Sequence, residues 1–327
     1  MSWRPLADVD TARTRAALLR ALRRYFDDSG ALEVQTPVLG NSSIPDPNID
    51  SLRAVAPQLR RQFYLQTSPE FAMKRLLAGG YPDIYQIASV FRDGERGARH
   101  LPEFTMLEWY RLGATLDDIV QDTEALLLQA LKPVHTSTPL TITDATRVRR
   151  YDDWLQDAVG INSDAPVDAL QHLAGEDFPP GLKQQKQALL DWIFDRDVAA
   201  HFRNDHLQVV THYPREQAAL ARLDDTGTRA LRFEVYLGAL ELANGFVELC
   251  DPEEQRRRFE SDLATRAQRD QQLLPLDEEF LAALEHGLPD CAGVALGVDR
   301  LLMLISQHPH IDNTVTFNDA GIPYDEH

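Results

Sequence analysis

Apolar positions along the chain follow two rhythms. Leu18, Leu19, Leu22, Tyr25 and Phe26 recur at steps of three and four, the period of one helix face. Asp10 or Thr11 supplies a start for this helix and Gly30 a stop. A short strand, Ala31–Pro37, follows. From Asn41 to Arg61 the chain is polar, with three prolines, and a loop is expected. Phe63–Gln66 reads as a strand. Beyond it Ser68 suits a helix N-cap and Pro69 the first helical position, ahead of a helix that buries Met73, Leu76 and Leu77 and stops at Gly79-Gly80.

Alternation then takes over. Asp83–Val90 and Glu103–Arg111 read as two strands joined by a long, charged tip, an antiparallel hairpin. Thr115, with Asp118 in the capping-box position, opens a helix to about Leu131, and Lys132–Pro139 reads as a linker. Residues 140 to 205 carry helical patterns at Tyr151–Val159 and Gln184–His201 between polar stretches such as Gly175–Gly181. This predicts a mainly helical insertion. Strands resume at Leu207–Tyr213 and Arg232–Leu237, with a turn at Gly238. Helices are expected at Pro252–Arg269 and Asp277–His286. From Gly287 come an apolar strand, a glycine elbow and a helix, and Thr314–Phe317 could form a last strand.

Composition is that of a globular protein, 43% hydrophobic and 26% charged. No run is apolar enough to span a bilayer and no secretory signal opens the chain. The two cysteines, Cys250 and Cys291, suggest neither a metal pair nor a disulfide framework, which fits a reducing cytoplasm. His172, His201 and His206 have no ligand-like spacing. The net charge of −18 opposes nucleic-acid binding, which must neutralise phosphates, and suits a small cationic substrate.

Candidate chemistry gathers on the hairpin. Arg92 ends its first strand, where a guanidinium can fork onto a phosphate. Phe104 starts the second and offers a flat face to a base. Glu70 stands in the first turn of its helix, where an acid is favoured by the helix dipole or available to a ligand. Gly297 lets a nucleotide approach the backbone, with Arg300 beside it. Glu241 and Glu248 are seven apart, so in a regular strand they face opposite ways. Asn244-Gly245 between them is open to two readings. One is a hairpin turn; the other is a bulge that brings both acids to one face.

The wording of these segments resembles that of class II aminoacyl-tRNA synthetases of the lysyl branch. Phe-Arg, a charged loop, then Arg99-His-Leu-Pro-Glu-Phe-Thr-Met-Leu-Glu-Trp-Tyr110 is similar to motif 2. The helix–strand–proline unit ending at Pro37 is similar to motif 1, and Gly293-Val-Ala-Leu-Gly-Val-Asp-Arg300 to motif 3. The resemblance spans about residues 10 to 307. It implies an α+β fold, an antiparallel sheet flanked by helices, in one catalytic domain over residues 1–327 with an insertion at about 140–205. It implies formation of an acyl-adenylate from ATP with Mg²⁺, and it favours the bulge at Asn244-Gly245.

The resemblance also assigns roles. Arg92 and Arg300 become catalytic. Asp93, Glu95, His100, Phe104, Glu241, Leu242 and Gly297 join them in binding ATP. Ser68, Pro69, Glu70, Tyr110, Asn244, Glu248 and Ala295 bind the amino acid, and Glu241 and Glu248 the metal. Two positions depart from the synthetase pattern. Glu95 comes one place late after Gly94, and Leu101 stands where asparagine is common. Motif 1 begins within the first forty residues, so an anticodon-reading domain ahead of it is not expected, and tRNA is an unlikely acceptor. The closer resemblance is to the elongation factor P–lysine lysyltransferases, homodimers that act on elongation factor P with β-lysine or lysine; PEFTMLEWYR and Ala295 carry it. A tRNA-charging fragment and an inactive amino-acid sensor are the alternatives.

Overall fold

In a computed structural model the described residues are 3–132, 142 and 145–318. In chain order they form α1 (Val9–Ser29), β1 (Leu32–Glu33), β2 (Leu39–Gly40), β3 (Arg53–Ala56), β4 (Arg61–Leu65), α2 (Glu70–Ala78), β5 (Ile84–Phe91), β6 (Glu103–Leu112) and α3 (Leu116–Ala130). Then come β7 (Arg147–Arg150), α4 (Tyr151–Val159), α5 (Val167–Ala174), α6 (Lys186–Asp197), β8 (Leu207–Pro214), β9 (Arg229–Leu237), β10 (Leu240–Val247), α7 (Pro252–Gln268), α8 (Glu278–Gly287), β11 (Cys291–Gly297) and α9 (Val298–Ile305). These divide into two compact units. The first holds the described residues of Met1–Gly113, Ala125–Leu140 and Cys250–His327; the second holds those of Ala114–Glu124 and Thr141–Leu249.

In the first unit the strands run β1-β5-β6-β11. β5–β6 and β6–β11 are antiparallel, and β1 joins β5 in parallel. A small antiparallel sheet, β2-β4-β3, lies apart from them. Helix α1 starts at Val9, where the Asp8 carboxylate accepts the Thr11 N–H, and ends at Gly30 in the left-handed conformation that glycine adopts freely. Its apolar stripe packs on one face of the main sheet. Phe26 stacks on Tyr85 with ring centroids 4.4 Å apart and tilts against Trp109 at 5.6 Å. Asp299, buried at the start of α9, accepts Arg15 Nη1 at 2.5 Å and the Thr105 N–H at 2.6 Å. One carboxylate thereby ties α1, β6 and α9 together.

In the second unit the strands run β10-β9-β8-β7, with β7–β8 parallel and the rest antiparallel. Helices α4, α5 and α6 bury Tyr151, Leu155, Leu170, Leu189, Ile193 and Phe194 in a core of their own. Tyr151 stacks on Phe194 at 4.5 Å.

Several expectations are corrected. Pro69, not Ser68, holds the N-cap position of α2, and no side chain caps it. The segment expected to be loop from Asn41 to Arg61 contains β3. β3 is held by its pairing with β4, and the stretch before it by Arg266 of α7, whose buried guanidinium donates to the carbonyls of Asp46 and Ile49 and to the Asp50 carboxylate. The strand expected at Thr314–Phe317 is absent among the described residues; Ile311–Thr314 is a 3₁₀ turn. The insertion carries β7 and α5 besides the two helical patterns read from sequence. Most of the linker at Lys132–Pro139 lies outside the described residues.

Two acids on α6, Asp191 and Asp195, keep exposed side chains beside the second unit's core. Desolvation by the packed protein beside them pushes Asp191 up to about 7 and Asp195 up to about 6, with the charge of Glu234 adding to both. A folded chain keeps protons on Asp191 that an unfolded chain, with its carboxyl near 3.8, has released. Stability therefore falls as pH rises from that value through about 7. Asp191→Asn keeps the oxygen that accepts from Gln217 and removes the ionisation. Because the side chain is exposed and its charge is screened by water, the variant is expected to stabilise the protein at pH 8 by about 1 kcal/mol or less and to have little effect near pH 4. Thermal melts across that range check it.

Candidate active site

Strand parity builds the first constellation. β6 pairs with β5 and with β11 without a shift, so its side chains alternate strictly. Thr105 and Trp109 face α1. Phe104, Met106, Glu108 and Tyr110 therefore share the other face. Across the ladder Ala295 stands opposite Glu108, and Gly293 opposite Tyr110. The Tyr110 hydroxyl donates to Glu108 Oε1 at 2.6 Å, and both side chains are buried. Glu108 was missed in the sequence. Alternation across LEWY could have found it, because it shares the parity of Phe104 and Tyr110.

At the other end of β6 the Arg92 guanidinium lies over the Phe104 ring, 5.2 Å from its centroid, a cation–π distance. Its Nε donates to the Thr67 carbonyl at 3.4 Å and its Nη1 to Glu95 Oε1 at 3.2 Å. Gly94 between them takes φ 78°, and this left-handed turn lets the displaced Glu95 reach back. Asp93 joins the site through its backbone, donating its N–H to the Asp50 carbonyl at 2.8 Å. Leu101 is buried in the core.

Arg300, in the first turn of α9, folds back beside Gly297 and donates to the Arg99 carbonyl at 3.3 Å. Its Nη2 meets His100 Nε2 at 2.5 Å. A guanidinium only donates, so this ring nitrogen accepts. Desolvation by its neighbours, and then the Arg300 charge, push His100 below the ordinary histidine value.

Glu70 opens α2, and Lys74 Nζ donates to its Oε1 at 2.6 Å. Ser68 and Pro69, just before it, line a cavity of about 520 Å³ together with Leu39, Ser42, Phe71 and Arg75.

The second constellation lies on β9 and β10. Asn244-Gly245 is mid-strand, and the hairpin turn is at Gly238. A bulge is present, but the register slips between Glu241 and Ala243, around Leu242, rather than at Asn244-Gly245. The consequence is the one expected of a bulge. Glu241 pairs with Tyr236 and Asn244 with Glu234, so both face the side of Arg232, Glu234 and Tyr236. Continued alternation puts Glu248 on that side too.

Glu234, also missed in the sequence, accepts from Tyr213, Tyr236, Arg232 and Asn244. Burial and the Glu234 charge push both tyrosines well above their ordinary value. Arg232 donates to Asn244 Oδ1 at 3.3 Å, which fixes the amide. Among the described residues no group of three or more His, Cys, Asp or Glu side chains could hold a metal ion. Magnesium commonly takes only one or two protein carboxylates and completes its shell with phosphates and water, so Glu241 and Glu248 fit that demand chemically.

An antiparallel core with a charged hairpin and an arginine-bearing glycine elbow defines a class II synthetase. The family of class II tRNA synthetases (D, K and N) matches residues 6–320. The chain is 40% identical over 323 residues to an elongation factor P–(R)-β-lysine ligase of Pectobacterium carotovorum, with 97% of each chain covered. It is 38% identical over 326 residues to that of Haemophilus ducreyi, covering 97% of this chain and 96% of the relative. It is 40% identical over 325 residues to that of Pseudoalteromonas translucida, covering 97% of each. The chain belongs to this ligase family within the class II synthetases. No described helix is long and apolar enough to cross a membrane.

Glu108→Gln keeps the shape of the side chain and removes its charge. It is expected to weaken binding of a diamino acid by about tenfold or more while leaving ATP binding unchanged, as read by calorimetric titration of each ligand.

Proposed function

We propose that this chain activates (R)-β-lysine, or lysine, with ATP and transfers it to a lysine side chain of elongation factor P. The observation that carries this reading is the shared face of β6. It bears an aromatic ring under an arginine at one end and a buried carboxylate–phenol pair at the other. That pairing suits a substrate with a planar, anionic end and a cationic end.

The chemistry has two steps. A carboxylate oxygen of the amino acid attacks the α-phosphorus of ATP, and the bond to pyrophosphate breaks. The acceptor's neutral ε-amine then attacks the acyl carbon; an amide forms, AMP leaves and a proton is released. Arg92 is assigned the α-phosphate, where a fixed guanidinium stabilises charge gained in the transition state. Arg300 is assigned the γ-phosphate end, and Phe104 the adenine. Glu108 and Tyr110 receive the side-chain amine and Glu70 the other amine. Glu241, Asn244 and Glu248 keep the roles that the resemblance gives them. Mg²⁺, which Glu241 and Glu248 would hold, neutralises phosphate charge when bound. The chain acts as a homodimer in the cytoplasm on this reading.

The test offers ATP, Mg²⁺ and labelled (R)-β-lysine together with elongation factor P and bulk tRNA. Label on elongation factor P is expected. Label on tRNA alone, or on neither, overturns the proposal. A second expectation concerns Ala295, whose methyl stands opposite Glu108. Ala295→Gly opens that space and is expected to shift the preference from β- toward α-lysine. An unchanged ratio of kcat/KM for the two isomers in pyrophosphate exchange would count against it.

A further inference from the structure

Lys74 is an ammonium shut away from water. Its side chain is 1% exposed, whereas lysine is almost never fully buried unless paired. It lies one turn past Glu70 on α2, and its Nζ donates to Glu70 Oε1 at 2.6 Å. On another side Nζ stands 5.8 Å from the centroid of the Phe280 ring. Phe280 stacks on Phe71 at 4.5 Å, and Phe259 tilts against both at 6.2 and 5.6 Å. Three rings from α2, α7 and α8 thus form one cluster, and Phe280 brings it against the lysine. The Glu70 carboxylate is 13% exposed, and its Oε2 takes no hydrogen bond among the described residues.

Stability does not account for this arrangement. Burying two charges costs desolvation that the attraction between them often fails to recover, and apolar replacements of such pairs are commonly neutral. An exposed pair at the same i,i+4 spacing would support the helix without any burial. What burial adds is geometry. A glutamate in the first turn of a helix has several rotamers open to it. A short charge-assisted bond from a partner that cannot move leaves one.

We infer that Lys74 is a positioning residue for amino-acid recognition: it holds Glu70 in the rotamer that presents Oε2 to an amine of the incoming diamino acid. The inference rests on the reading of Glu70 given above. Lys74 itself touches no substrate. It acts through Glu70 and is not expected to affect the nucleotide.

ATP–pyrophosphate exchange with (R)-β-lysine tests this in the full-length protein. Lys74→Met is expected to raise KM for the amino acid roughly 10- to 100-fold, the scale on which misplacing a binding group is felt, with KM for ATP unchanged. Glu70→Gln is expected to raise the same KM. The Glu70→Gln/Lys74→Met double variant should then match Glu70→Gln alone in KM for the amino acid, because the carboxylate through which Lys74 acts on the site is already gone. Further loss in the double variant, or equal rises in both KM values for Lys74→Met, would mean a merely structural role and overturn the inference. A normal KM in Glu70→Gln overturns the reading of Glu70 and the inference with it. A rise in Glu70→Gln with none in Lys74→Met overturns the inference alone. Should Lys74→Met fail to fold, the double variant, which removes both buried charges, decides against Glu70→Gln on the same comparison.

Discussion

The ladder of β6, bonded to β5 on one edge and to β11 on the other without a shift, is the constraint on which the first constellation depends. Side chains on a strand have a period of two, so one slipped residue would turn Phe104, Glu108 and Tyr110 toward α1 and Trp109 away from it. Phe26, Tyr85 and Trp109 make that slip expensive by filling one face with interlocked rings. Asp299 pins the strand again through the Thr105 amide. The arrangement of Phe104, Glu108 and Tyr110 on one face is thus secured by hydrophobic packing on the other. β10 uses the opposite device. It needs a slip, and the extra residue Leu242 provides it, so that Glu241 comes to lie with Asn244.

Much of this was legible in the chain. The helical stripe of α1, the β5–β6 strands, the capping box at Thr115 and Asp118, and the elbow into α9 follow local rules of period and capping, and the structure follows them. The parity argument for Glu241 and Glu248 also held in its consequence. What escaped was decided by distant partners. The stretch 46–50 ahead of β3 reads as loop because its order comes from Arg266, more than two hundred residues away. Ser68 is a good cap by type, but the chain enters α2 through Pro69. The bulge moved to Leu242, a residue with no local signature, and Glu234 is revealed only by the register that sets it opposite Asn244.

The acidic character of the chain takes on a particular meaning beside these contacts. Arg92 leans on Glu95, Arg232 on Glu234 and Arg266 on Asp50. Each of these arginines is thereby held in one geometry by an acid. Part of the chain's excess of acid is thus used to orient arginines: the Arg232 and Arg266 guanidinium groups commit all three of their nitrogens to the protein itself.

The placement of Asn244-Gly245 inside a paired strand bears on the chemical lifetime of the protein. Asparagine followed by glycine is a sequence at which chains age, because the glycine nitrogen can attack the side-chain carbonyl, close a succinimide and release ammonia. Ring closure requires the backbone to bend and the amide to swing round. Here the backbone is held by the ladder to β9, and the amide is gripped by Arg232 and Glu234. The same register that orients this dipeptide thereby opposes the deamidation that an asparagine–glycine pair undergoes readily in a flexible turn.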